Sequence, residues 1–136
     1  MDSKQLFLRE IHSIIKEYAE VGEQLKQPDK ELSWEEFNLT ENEISALSAQ
    51  KFTDESISAI EKIVRDNIIG AFHSAFCLLD GVSNPASENE EDVWIGLKLE
   101  EKQDDDDEDE EFLHDELYSS CWDWHELNTN MNNSQK

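Results

Sequence analysis

The chain has 136 residues and carries 34 acidic side chains against 11 basic ones, which gives a formal net charge of −23. A charge of this sign repels nucleic acid, anionic lipid and nucleotides, and it attracts basic protein surfaces and cations. Composition therefore argues against nucleic acid and membranes as partners. A chain of this length is most simply one domain.

The first predicted helix covers residues 3–26. Asp2 or Ser3 suits its N-cap position. Its apolar residues recur at alternating spacings of four and three and form one stripe, which consists of Phe7, Ile11, Ile14, Tyr18, Val21 and Leu25. The stripe is too short to indicate a coiled coil, so we expect it to pack against the core of the same chain. Residues 27–30 form a connection.

The segment 32–39 allows two interpretations. Ser33 with Glu36 makes a capping box for a short helix, and the same segment also fits a short strand. A second capping box, Thr40 with Glu43, then opens another predicted helix.

The longest predicted helix covers about residues 54–79, and Thr53 or Asp54 caps its start. Its first half is amphipathic, whereas its second half, from Ile68 to Leu79, has no polar face. A helix that is apolar on all sides is surrounded by protein. We therefore expect four to five helices packed round this central apolar helix.

One strand is predicted, at residues 93–99. Apolar side chains alternate there with others, so that one side of the strand consists of Val93, Ile95, Leu97 and Leu99. A strand needs a partner for its backbone groups, and the candidates are residues 32–39, residues around 82–86 or another chain. The predicted fold class is therefore α+β, mainly α, with a small β element around 93–99.

Negative charge is concentrated in the second half of the chain. Residues 66–136 contain 20 acids and 3 bases, whereas residues 1–65 contain 14 acids and 8 bases. We expect a single globular domain over residues 1–127, with an acidic linker at 100–111 inside it. A last helix is predicted at about 110–127, and a disordered polar tail at 128–136.

Two histidine–cysteine pairs have the spacing of ligands on one helical face. They are His73 with Cys77 and Cys121 with His125, and together they have the donor set of a Cys2His2 zinc site. The first pair lies in the apolar helix, where a cysteine behaves as a small hydrophobic residue. We therefore predict a core histidine and packed thiols, with no metal and no other cofactor.

The sequence contains no signature of a catalytic or phosphate-binding site. Its four glycines form neither a dinucleotide fingerprint nor a P-loop. A calcium-binding EF-hand loop that starts at Asp104 fails at Asp109 and at Asp115. His114 lies beside Asp115 and Glu116, as a general base can, but no nucleophile accompanies it. We expect a protein that is not an enzyme.

Cysteine content and hydropathy indicate a cytoplasmic location. Two cysteines are too few for the disulfide framework of a small secreted protein. The N-terminal residues lack the apolar core of a signal peptide. No stretch reaches the ~18 apolar residues that a membrane-spanning helix needs.

The predicted function is the binding and neutralisation of a basic protein. Carboxylates at the positions that phosphates normally take would occupy the groove of a partner such as a nuclease, and exposed tryptophans would anchor the contact. The predicted partner-binding residues are Asp104, Asp105, Asp106, Asp107, Glu108, Asp109, Glu110, Glu111, Trp94 and Trp122. In its small size, acidity and aromatic content the chain is similar to bacterial toxin-immunity proteins, a similarity that implies an inhibitor.

Two other functions fit the same sequence. A housekeeping interaction or structural domain, monomeric or homodimeric through strand 93–99, would use its acidic run only for solubility. A small metal-dependent protein that uses His114 or His125 is the third interpretation.

Overall fold

A computed structural model of the chain describes residues 2–86, 93–103 and 112–134. These residues separate into two compact units, one that ends at Leu99 and one that begins at Glu100. The helices of the first unit are α1 (Ser3–Ala19), α2 (Gly22–Lys26), α3 (Glu41–Ser48) and α4 (Asp54–Leu79). The second unit contains α5 (Leu113–Ser134).

Three helices of the first unit begin at a side-chain cap. The Asp2 carboxylate accepts the Gln5 N–H and caps α1, which selects Asp2 over Ser3. The predicted capping box of α3 is confirmed, because Thr40 accepts the Glu43 N–H while Glu43 accepts the Thr40 N–H. Thr53 caps α4. Each cap satisfies a backbone N–H that the first helical turn leaves without a partner.

The prediction of one helix over residues 3–26 is wrong, because α1 ends at Ala19 and α2 begins at Gly22. The break brings Gly22 against α4, where its N–H donates to the Glu61 carboxylate at 3.0 Å. A Cβ at position 22 would lie 2.9 Å from the Cγ2 atom of Ile57. The turn at Glu20 and Val21 therefore places against α4 the one residue of this segment that lacks a side chain.

The segment 32–39 contains a 3₁₀ turn, Glu35–Phe37, and no strand. Its N-cap is Trp34, and no side chain caps it, so the predicted Ser33–Glu36 capping box does not form. The Trp34 and Phe37 rings instead meet edge to face, with centroids 4.7 Å apart. This aromatic pair holds the turn together.

Helices α1 and α4 pack in opposite directions. Near one end the Phe7 and Phe76 rings have centroids 6.1 Å apart, and past the other end of α1 the chain meets α4 at Ile57. Between these ends, Ile15 and Ala19 on α1 are buried, with 2% and 4% of their surface exposed. The core of the first unit therefore lies along α1.

The expectation that α4 is surrounded by protein is wrong. This helix is described along its whole length, and none of its residues is buried. Ile63 is 62% exposed and Ile69 is 39% exposed. Within the described part of the chain α4 packs against α1 and α2, which cover one side of it and leave the other side open.

The predicted β element at 93–99 is also absent from the part of the chain that the structure describes, so the fold class is α and not α+β. Gly96 has a φ of 95°, which is outside the range of a strand. The Leu97 N–H donates to the Leu79 carbonyl at the end of α4, with an N···O distance of 2.8 Å. The end of α4 thus supplies a hydrogen-bond acceptor that a neighbouring strand would otherwise provide.

The second unit is built around α5. This helix begins at Leu113 and continues to Ser134, beyond the predicted end near residue 127. Before it, the Lys102 ammonium nitrogen lies 4.6 Å from the centroid of the Phe112 ring, a cation–π contact between two residues of this unit. None of the described helices is long and apolar enough to cross a membrane.

Candidate protein-interaction site

The predicted acidic site falls outside the described residues. All eight carboxylates of residues 104–111 lie in that undescribed range. Glu100 and Glu101, which precede it, are described and exposed. The part of the candidate site whose geometry can be described therefore consists of the residues that precede the acidic run.

Two predicted anchors, Trp94 and Trp122, lie in different environments. Trp94 is half-buried, and its indole N–H donates to the Leu78 carbonyl oxygen at 2.9 Å. Trp122 is 53% exposed on α5, in the second unit. Trp94 therefore fixes the chain within the first unit, whereas Trp122 presents its ring to solvent.

The C-terminal end of α4 is closed by a pair of backbone hydrogen bonds. The Val82 N–H donates to the Cys77 carbonyl at 2.9 Å, and the Gly81 N–H donates to the Leu78 carbonyl at 3.1 Å. Gly81 has a φ of 71°. This is the Schellman arrangement, which needs a left-handed residue after the helix and favours glycine there.

A segment without regular secondary structure, residues 93–99, lies directly against this helix end. The Leu97 N–H and the Trp94 indole donate to the Leu79 and Leu78 carbonyls. A Cβ on Gly81 would meet the Ile95 backbone, and one on Gly96 would meet the Leu79 carbonyl oxygen. Two glycines thus allow two stretches of backbone to approach closely. The Leu97 N–H satisfies the Leu79 carbonyl, which the Schellman bonds leave open, and the Trp94 indole is a further donor to the Leu78 carbonyl, which already accepts the Gly81 N–H.

The apolar side chains of segment 93–99 point largely into solvent. Val93 is 82% exposed and Ile95 is 84% exposed, while Leu97 and Leu99 are 55% and 62% exposed. The sequence alternation identified these four residues as a group but predicted a strand partner for them. What it missed is the close approach of Gly81 and Gly96, whose only sequence signal is one glycine after the apolar helix and another inside segment 93–99.

The candidate zinc ligands are only partly brought together. The Cys77 sulfur lies 3.8 Å from the Nδ1 atom of His73, as their spacing predicts. The prediction of a core histidine is wrong, because His73 is exposed and Cys77 is only half-buried. Cys121 and His125 lie on α5, in the other unit. Within the described ranges, no group of three His, Cys, Asp or Glu side chains is placed to hold a metal ion.

The candidate general base is exposed. The Nε2 atom of His114 lies 3.2 Å from an Asp115 carboxylate oxygen, and the two side chains are 79% and 68% exposed. Solvent screens an ion pair of this kind. Nothing in this pair excludes water from a reacting group.

A shallow depression follows the first turns of α4. It is lined by Asp54, Glu55, Ser58, Ala59 and Lys62, all from one helix. Ligand sites usually enclose most of the ligand surface. A depression lined by one helix leaves the ligand open to solvent on the opposite side.

No model of a known protein family, no curated protein and no solved structure matches the chain.

Proposed function

We propose that this chain is an acidic protein-binding module, without enzymatic activity, that neutralises a basic partner such as a nuclease. In this role it is an inhibitor or immunity-type protein of the cytoplasm. The observation that carries the proposal is the net charge of −23, with eight consecutive carboxylates at 104–111. Exposed apolar residues in the same half of the chain support it.

Charge and apolar surface have different roles in this proposal. The negative field raises the rate at which a basic protein meets the chain, and it orients that protein during the encounter. Apolar and aromatic side chains at the centre of the contact then slow dissociation, because they are removed from water. Salt weakens the first effect strongly and the second very little.

Affinity capture from the native host tests the proposal. The full-length chain is immobilised beside a variant in which residues 104–111 carry Asn for Asp and Gln for Glu. We expect a single basic protein to bind the unaltered chain at low salt and to be absent from the variant, and its identity is read by mass spectrometry. Retention of the same proteins by both chains would contradict the proposal.

A second candidate function is an interaction or structural domain in which the acidic run serves only solubility. The exposed apolar residues of α4, such as Ile63, favour it because they need no charged partner. Deleting residues 103–110 separates the two functions. If the acidic residues bind the partner, the deletion weakens partner binding. If they serve only solubility, partner binding is unchanged.

A further inference from the structure

We propose that segment 93–99 is the apolar anchor of the contact, and that it inserts into an apolar groove rimmed by lysine or arginine on the basic partner. The anchoring side chains are Val93, Ile95, Leu97 and Leu99. This inference rests on the proposed function and adds to it a specific surface and the chemistry of the groove that receives it.

The segment is held in place before any partner arrives. The Leu97 N–H and the Trp94 indole N–H both donate to carbonyls at the end of α4, at 2.8 and 2.9 Å. The Schellman bonds at Gly81 fix that helix end in turn. A surface that is already ordered loses less conformational entropy on binding than a free peptide does.

The exposure of the segment distinguishes it from ordinary surface. Scattered single apolar residues are normal on a protein, but a contiguous apolar group marks a place of contact. Here four aliphatic side chains occur within seven residues, and each is more than half exposed. Two of them, Val93 and Ile95, are the most exposed large apolar side chains of the described residues.

The charged residues next to the segment determine what kind of partner surface can bind it. Glu100 and Glu101 follow it directly and are exposed, and in the sequence Glu90, Glu91 and Asp92 come directly before it. Lys98 within the segment and Lys102 after it reduce this charge, but residues 90–102 still contain five acids against two bases. An apolar groove that receives the segment must therefore accept carboxylates at its rim, which favours lysine and arginine there. If the partner were a second copy of the chain, these acids would face the same acids of that copy, and like-charge repulsion opposes this arrangement.

Two synthetic peptides of equal charge test the inference. One alternates leucine with lysine, and the other replaces each leucine with glycine. Fluorescence anisotropy of the labelled peptides at low salt gives their affinities for the full-length chain. We expect the leucine-containing peptide to bind about tenfold more tightly, since burial of one or two aliphatic side chains has that effect on a dissociation constant.

The variant chain Ile95→Ser with Leu99→Ser should lose this preference and bind both peptides equally. Its matched control is Ile63→Ser, which makes the same change at a residue of α4 that is 62% exposed and should keep the preference. Circular dichroism and urea unfolding identical to the unaltered chain establish that both variants fold.

The outcomes separate this inference from the proposed function. The inference about segment 93–99 is wrong if the double variant keeps the preference for the leucine-containing peptide, or if Ile63→Ser removes that preference equally. Neither result contradicts the proposed function. The anchor is also wrong if sedimentation shows a homodimer that the double variant abolishes. If the unaltered chain binds neither peptide, the proposed function fails together with the anchor.

Discussion

Two glycines, Gly22 and Gly70, lie in helices of the first unit but have opposite surroundings. A Cβ on Gly22 would lie 2.9 Å from Ile57 and 3.0 Å from the Glu61 carboxylate that accepts its own N–H. A Cβ on Gly70 would meet nothing within 4 Å. The same substitution is therefore expected to have opposite effects at the two positions.

We predict that Gly22→Ala lowers the free energy of unfolding by about 1–3 kcal/mol, because the added methyl overpacks the contact with α4. Gly70→Ala should raise it by about 0.5–1 kcal/mol, because alanine favours an exposed helix interior. Urea unfolding followed by circular dichroism measures both values. Equal effects of the two substitutions would contradict the packing of α2 against α4.

At the scale of elements, the capping signals of α3 and α4 predicted well, whereas the capping box at Ser33 and Glu36 did not form and contacts between distant residues were not predicted. The caps at Thr40 and Thr53 depend on residues within one turn, so the sequence alone locates the starts of α3 and α4. The break before Gly22 depends on Glu61, which is 39 residues away. No local pattern reports a contact over that distance.

The predicted strand fails for a related reason. Alternation at 93–99 predicts a strand, and the segment is neither strand, helix nor turn. Its hydrogen-bond partner is the end of α4 rather than another strand, and Gly96 has the positive φ that this approach requires. Periodicity identified which residues of the segment are apolar, but it predicted neither the positive φ of Gly96 nor the hydrogen-bond partner of the segment.

We predict that Gly96→Ala releases segment 93–99 from the end of α4. A left-handed conformation costs a residue with a side chain about 1–2 kcal/mol, and the new Cβ would also meet the Leu79 carbonyl oxygen. Hydrogen exchange at the Leu97 amide should become faster by about tenfold or more. Gly70→Ala is the control and should leave that rate unchanged; an equally slow Leu97 amide in the Gly96 variant would contradict the hydrogen bond.

At the scale of the whole molecule, composition predicted the charge of the chain but not the position of its core. The apolar second half of α4 indicated a buried helix, yet the buried residues among those described are Ile15 and Ala19 of α1 together with Pro28. Burial depends on how many neighbours a helix has, and among the described helices those that pack against α4 are α1 and α2. Amino-acid composition alone does not predict how many neighbours a helix has.

We predict that added sodium chloride stabilises the chain. With a net charge of −23, self-repulsion opposes the compact state, and raising the ionic strength from 0.01 to 0.1 M shortens the screening length from about 30 to about 10 Å. The urea concentration at the midpoint of unfolding should therefore rise. The variant with amides at 104–111 should show a smaller rise, and a midpoint that falls with salt would contradict self-repulsion as a determinant of stability.

The pairing of Phe7 with Phe76 has a consequence for synthesis of the chain. The ribosome adds about 5–20 residues per second, so roughly 3–14 s pass between the emergence of these two rings. During that interval the apolar face around Ile15 has no native helix to cover it. Until α4 emerges, nascent α1 therefore exposes an apolar face of the kind to which chaperones of growing polypeptides bind.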